Sequence, residues 1–101
     1  MTESKLARTV VISNPQGLHA RPADLFVKVA QQYQSRVELV KESIRVDGKS
    51  ILDLLTLAAA AGTRLTIEAT GEDASQALDA LCKLVEQNFA EDTDQGGEAK
   101  N

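Results

Sequence analysis

The sequence predicts an α+β fold, an open-faced β-sandwich in which a four-stranded, mainly antiparallel sheet carries three helices on one side. Three observations predict it. Residues 64–70 alternate strictly, with Leu65, Ile67 and Ala69 on one face and Arg64, Thr66 and Glu68 on the other, the period of a half-buried strand. Ala74, Ala77, Leu78, Leu81, Leu84, Val85 and Phe89 recur instead at helical spacing and form one apolar stripe. Elements of these two kinds bury their apolar surfaces together when the helices cover one side of the sheet and leave the other to water.

In chain order the elements read β-α-β-β-α-β-α. Residues 7–13 form a first strand, expected to be well buried, with Val10 and Ile12 on one face and Val11 opposite. Asn14, Pro15 and Gly17 break it. Ala23, Phe26, Val27, Ala30 and Tyr33 then recur as one face of a helix, and Pro22 suits its first turn, where a missing N–H costs nothing. A hairpin follows: Val37 and Leu39, then Ile44 and Val46, each in alternation, joined through Lys41, Glu42 and Ser43 without an Asn-Gly signal. Residues 50–61 read as a second helix, with Gly62 in position to end it. Beyond the strand at 64–70, Asp73 with Gln76 three residues on forms a candidate capping pair for the last helix.

Composition narrows the function. At 101 residues the chain fits one domain, assigned to residues 1–90, with an acidic tail at 91–101 expected to be disordered. The tail region from Ala90 onward holds −3 of the formal −4 charge, so neither part offers the basic footprint of a nucleic-acid binder. One cysteine, Cys82, rules out an internal disulfide, and one Cys with one His cannot complete the usual zinc set. Cys82 lies near the apolar stripe of the last helix and reads as a core filler. No apolar run is long enough for a signal peptide or a membrane span, which points to a cytoplasmic chain without membrane insertion. No acid–base pair, metal set or phosphate-cradling glycine loop is visible, so no cofactor is expected and an enzyme with its own pocket is disfavoured.

Chemistry concentrates in Gly17-Leu18-His19-Ala20-Arg21-Pro22, which joins the first strand to the first helix and holds the only histidine. The opening amides of a helix lack intrahelical partners and make a positive end suited to phosphate. That end disfavours an imidazolium, so the neutral ring, whose nitrogen can attack phosphorus, is expected to dominate. Arg21 can offer guanidinium N–H groups to phosphoryl oxygens. Taken locally, the same stretch also fits a capping or surface histidine beside an unrelated arginine.

The wider pattern separates these readings. Residues 14–23, Asn-Pro-Gln-Gly-Leu-His-Ala-Arg-Pro-Ala, resemble the active-site stretch of the histidine-containing phosphocarrier (HPr) family of the phosphoenolpyruvate-dependent sugar phosphotransferase system. Val46-Asp47-Gly48-Lys49-Ser50-Ile51-Leu52 resembles its second signature, and Gly62-Thr63 with Gly71-Glu72-Asp73-Ala74 its later half, so the similarity runs over residues 6–89. The resemblance implies that His19 accepts a phosphoryl group on Nδ1 from the system's first enzyme and passes it to sugar-specific acceptors. Arg21 matches the family's active-site arginine and Pro22 its helix-opening proline. The chain would be a carrier, not a stand-alone enzyme, and is expected to act as a monomer.

Ser50, before the apolar run of the second helix, forms a Ser-x-x-Asp capping pattern with Asp53. The resemblance adds that Ser50 matches the family's regulatory serine, modified by a dedicated serine kinase/phosphorylase in some bacteria and read by a regulator. Phosphate at a helix start is compatible with both roles. Asp53 stands where many members carry Gly or a basic residue. The second helix has more apolar residues than one buried face needs: with Leu54 and Leu57 inward, Ile51, Leu52 and Leu55 form either a partner-docking patch or part of a well-buried short helix. Lys28 and Lys49 could steer acidic partners. The alternative function is a regulatory binding module switched by phosphorylation of Ser50, with His19 little used.

Overall fold

The computed structural model describes residues 5–89, so the expected tail at 91–101 lies outside the described residues. The elements are β1 (Lys5–Val11), α1 (Ala20–Ala30), β2 (Arg36–Lys41), β3 (Ile44–Asp47), α2 (Ile51–Thr56), β4 (Arg64–Thr70) and α3 (Ala74–Glu86). The four strands form one sheet in the order β1-β4-β2-β3, and every neighbouring pair is antiparallel. The order of elements and the open-faced sandwich agree with the expectation; the sheet is wholly antiparallel among the described residues.

Alternation decides the faces. Val37, Leu39, Leu65, Ile67 and Ala69 are buried under the helices: Val37 pairs with Ala69 and Leu39 with Ile67 across β2 and β4, and Leu65 pairs with Val10 across β1 and β4. The helices answer with Ala23, Phe26, Val27 and Ala30 from α1, Leu54 from α2, and Ala77, Leu78, Leu81 and Val85 from α3. The core is aliphatic apart from Phe26, Phe89 and Cys82. The uncovered face is polar: Arg45 bonds Glu38 at 3.0 Å and also Glu68, which Lys5 approaches at 3.1 Å. Arg45, more than Lys5, holds the Glu68 carboxyl below the usual range.

Several local expectations are corrected. The first strand is not well buried: among the described residues β1 is an edge strand with one neighbour, Val10 alone of its residues is buried, and Val11 is 46% exposed on the open face. Ile12 is buried just past its end. The β2–β3 hairpin closes without glycine because Glu42 itself takes φ 55°. Tyr33 lies beyond the end of α1 and packs half-buried against the core. The second helix is six residues long, not twelve: it stops at Thr56, and Ala58 at φ 50° turns the chain out, so Gly62 shapes the next turn instead. Asp73 is the N-cap residue of α3, but its side chain makes no capping bond. Its carboxylate accepts the Ser35 hydroxyl at 2.5 Å, the Gln34 amide and the Ser35 amide, which holds it below the usual range and ties the β4–α3 turn to the approach to β2. Phe89 is buried but off the helix, reached through Asn88 and Phe89 in left-handed backbone.

Candidate functional site

The loop carrying the histidine is pinned at both ends and along its middle. At its start, Ile12 N–H donates to Thr63 O and Gly62 N–H to Ile12 O, which seats residues 12–13 against the α2–β4 connection. Ser13 Oγ donates to Asn88 Oδ1 from the turn after α3. Asn14 folds the loop by donating its side-chain N–H to Gly17 O while its own carbonyl accepts the Gly17 amide. Gly17 has φ +73° and approaches residues 59–60 so closely that a Cβ would lie 2.5 Å from Ala59 O. Leu18 is buried, and its N–H donates to that same oxygen at 2.8 Å.

His19 is then presented at the N-cap of α1 in extended backbone (φ −100°, ψ −166°). Its carbonyl accepts the first intrahelical bond, from Ala23 at 3.0 Å, and its side chain makes no capping bond. The residue as a whole is half-buried. Arg21 is exposed on the first turn, and Pro22 is buried there, where its lack of an N–H leaves nothing unsatisfied. Sequence reasoning found the histidine, arginine and proline. It missed the support: Asn14, the residue 58–60 segment and Lys41, whose Nζ donates to Leu57 O at 2.8 Å. A signal was available for Lys41, because a charged residue sits there in the inward register of Val37 and Leu39.

A model of the family described as "PTS HPr component phosphorylation site" matches residues 6–87. The chain belongs to the HPr family. It is 42% identical over 86 residues to phosphocarrier protein HPr of Neisseria meningitidis serogroup A (strain Z2491), covering 85% of this chain and 97% of the relative. Against phosphocarrier protein HPr of Treponema pallidum (strain Nichols) the identity is 38% over 87 residues, covering 86% and 99%. Among solved structures, HPr-C-His from Thermoanaerobacter tengcongensis superposes with a TM-score of 0.82 at 36% identity, covering 84% of this chain and 96% of that one.

The remaining sequence-predicted residues of this HPr-family chain are divided between two places. Ser50 is the N-cap of α2 and its Oγ accepts the Asp53 amide at 3.2 Å, as the capping pattern implied. The return bond differs: Asp53 Oδ2 accepts from Asp47 N–H at 3.1 Å, not from Ser50, and so closes the β3–α2 turn. Leu54 and Leu57 are buried, Ile51 is half-buried, and Leu52 and Leu55 are 75% and 36% exposed. Of the two lysines, Lys28 is exposed and pairs with Asp24 at 3.1 Å, whereas Lys49 is half-buried and its Nζ donates to Tyr33 O at 2.8 Å. Cys82 is buried, and burial pushes its thiol up. Among the described residues no three His, Cys, Asp or Glu side chains gather as a metal site, and no helix is long and apolar enough to cross a membrane.

Proposed function

We propose that this chain is a phosphohistidine carrier: His19 accepts a phosphoryl group from the phosphoenolpyruvate-charged first enzyme of the phosphotransferase system and donates it to a sugar-specific component or a related relay. The observation that carries the reading is the half-buried His19 at the N-cap of α1, with a side chain not spent on capping and Arg21 two residues on. A neutral Nδ1 uses its lone pair to form the N–P bond, while the donor's bond to phosphorus breaks and the donor keeps that electron pair. Donation runs the same exchange with the acceptor as nucleophile. Opening amides of α1 and the Arg21 guanidinium suit the phosphoryl oxygens without enclosing them, which is what reversible transfer requires.

Ser50 is proposed as a regulatory phosphorylation site for a serine kinase/phosphorylase, with its modified form read by a regulator. Ile51, Leu52 and Leu55 are proposed as the docking patch, with Lys28 and Lys49 as flanking charges; Lys28 is the more exposed of the two. The chain is proposed to work as a cytoplasmic monomer without cofactor or metal, as a carrier and not as a stand-alone enzyme.

The test is transfer from labelled phosphoenolpyruvate through purified first enzyme. One acid-labile phosphate per chain is expected, and none in His19→Ala. Arg21→Ala keeps the acceptor nitrogen and is expected to slow transfer by roughly tenfold or more. Undiminished labelling of His19→Ala would overturn the site.

A further inference from the structure

We propose that Lys41 is a positioning residue for the His19 loop, acting through the chain between Leu57 and Ala60; the inference rests on the reading of His19 as phosphoryl acceptor. The half-buried Lys41 ammonium donates at 2.8 Å to the carbonyl of Leu57, the C-cap of α2. A cation is favoured there because the last carbonyls of a helix lack intrahelical donors. One residue later Ala58 is held at φ 50°, a conformation an alanine leaves when it is not constrained. The next carbonyl, Ala59 O, is the acceptor for Leu18 N–H and the surface against which Gly17 packs. Lys41 therefore fixes Leu57, Leu57 and Ala58 aim Ala59 O, and Ala59 O sets Leu18, the residue before the histidine. The buried Leu57 side chain and the Leu57 and Ala58 amides, which donate to Leu54 O and Leu55 O, also hold this end, and Lys41 adds the side-chain donor to the Leu57 carbonyl itself.

Lys41→Met keeps the apolar stem and removes the donor; Lys41→Arg restores a cationic donor. In unphosphorylated protein, Lys41→Met is expected to speed hydrogen exchange of the Leu18 amide by about tenfold while the Ile67 amide of β4 keeps its rate. It is also expected to lower kcat for phosphoryl acceptance by roughly three- to tenfold with little change in KM for the charged donor, since the docking patch is untouched. Lys41→Arg should recover both values. Unchanged Leu18 exchange overturns the proposal. So does faster exchange at Leu18 and Ile67 together, which marks general loosening. Should Lys41→Met fail to fold, Lys41→Gln is read the same way. A wild-type chain that takes no phosphate overturns the carrier reading instead, because the exchange measurement needs none.

Discussion

At Gly17 the backbone sits at φ +73° and a Cβ would meet Ala59 O at 2.5 Å and Ala60 Cα at 2.9 Å, whereas at Ala58 a Cβ-bearing residue holds φ 50°. The two positions predict effects of opposite sign. Gly17→Ala adds left-handed strain to a clash with backbone that cannot swing aside, and is expected to cost about 2 kcal/mol or more. It should also slow phosphate acceptance, since Leu18 and His19 follow directly. Ala58→Gly removes the Cβ penalty and is expected to raise stability by roughly 1 kcal/mol, less the added freedom of the unfolded glycine. Urea denaturation of both variants beside wild type checks the pair. Destabilisation by Ala58→Gly would mean that its left-handed turn is not strained.

At the scale of elements, α2 shows what a short helix needs. Its start is held by Ser50 Oγ on the Asp53 amide, so Ser50→Ala is expected to cost about 1 kcal/mol, while Ser50→Asp keeps an acceptor and most of the stability. If Ser50 is the proposed switch, Ser50→Asp should impair docking with the first enzyme although it folds normally. On the outer face, Leu52→Glu is expected to raise KM for that enzyme with little effect on melting, because Leu52 is 75% exposed. A melting temperature lowered by several degrees would show that Leu52 packs after all. The strands β2, β3 and β4 were legible because alternation reports directly which face is buried. The histidine site was legible because it lies in one contiguous stretch. What was not legible depended on distant partners: the end of α2 follows a left-handed alanine that helix propensity disfavours predicting, and Asp73 looked like a cap until Ser35 and Gln34 competed for its carboxylate. Likewise, nothing in the sequence of β1 announces that among the described residues it has a neighbour on one side only.

Across the whole molecule, two depressed carboxylates predict the response to acid. Asp73 is held down first by the Ser35 hydroxyl and Glu68 first by Arg45, so each is ionised more readily folded than unfolded. Their contribution is present above the unfolded values near 4 and is lost as pH falls through the lower folded values. The urea midpoint is expected to drop as pH falls below about 4, and to drop less in a Ser35→Ala, Arg45→Ala double variant that starts from lower stability at pH 7. An acid slope unchanged in the double variant would place the sensitive carboxylates elsewhere. Arg45 also separates Glu38 from Glu68, which stand directly opposite each other across β2 and β4. Its removal should therefore hurt more at low salt than at high salt.

The edge position of β1 has a consequence for synthesis of the chain. Lys5 pairs with Thr70 and Val11 with Arg64, so β1, the first of the four described strands to leave the ribosome, waits for β4, the sixth described element, before it gains this ladder. Until then the interval between them must organise around β2 and β3, which are local to each other. Closing so wide a loop late makes the N-terminal strand the natural rate-determining addition, and translation that pauses before residue 70 would leave an unzipped polypeptide exposed to proteases.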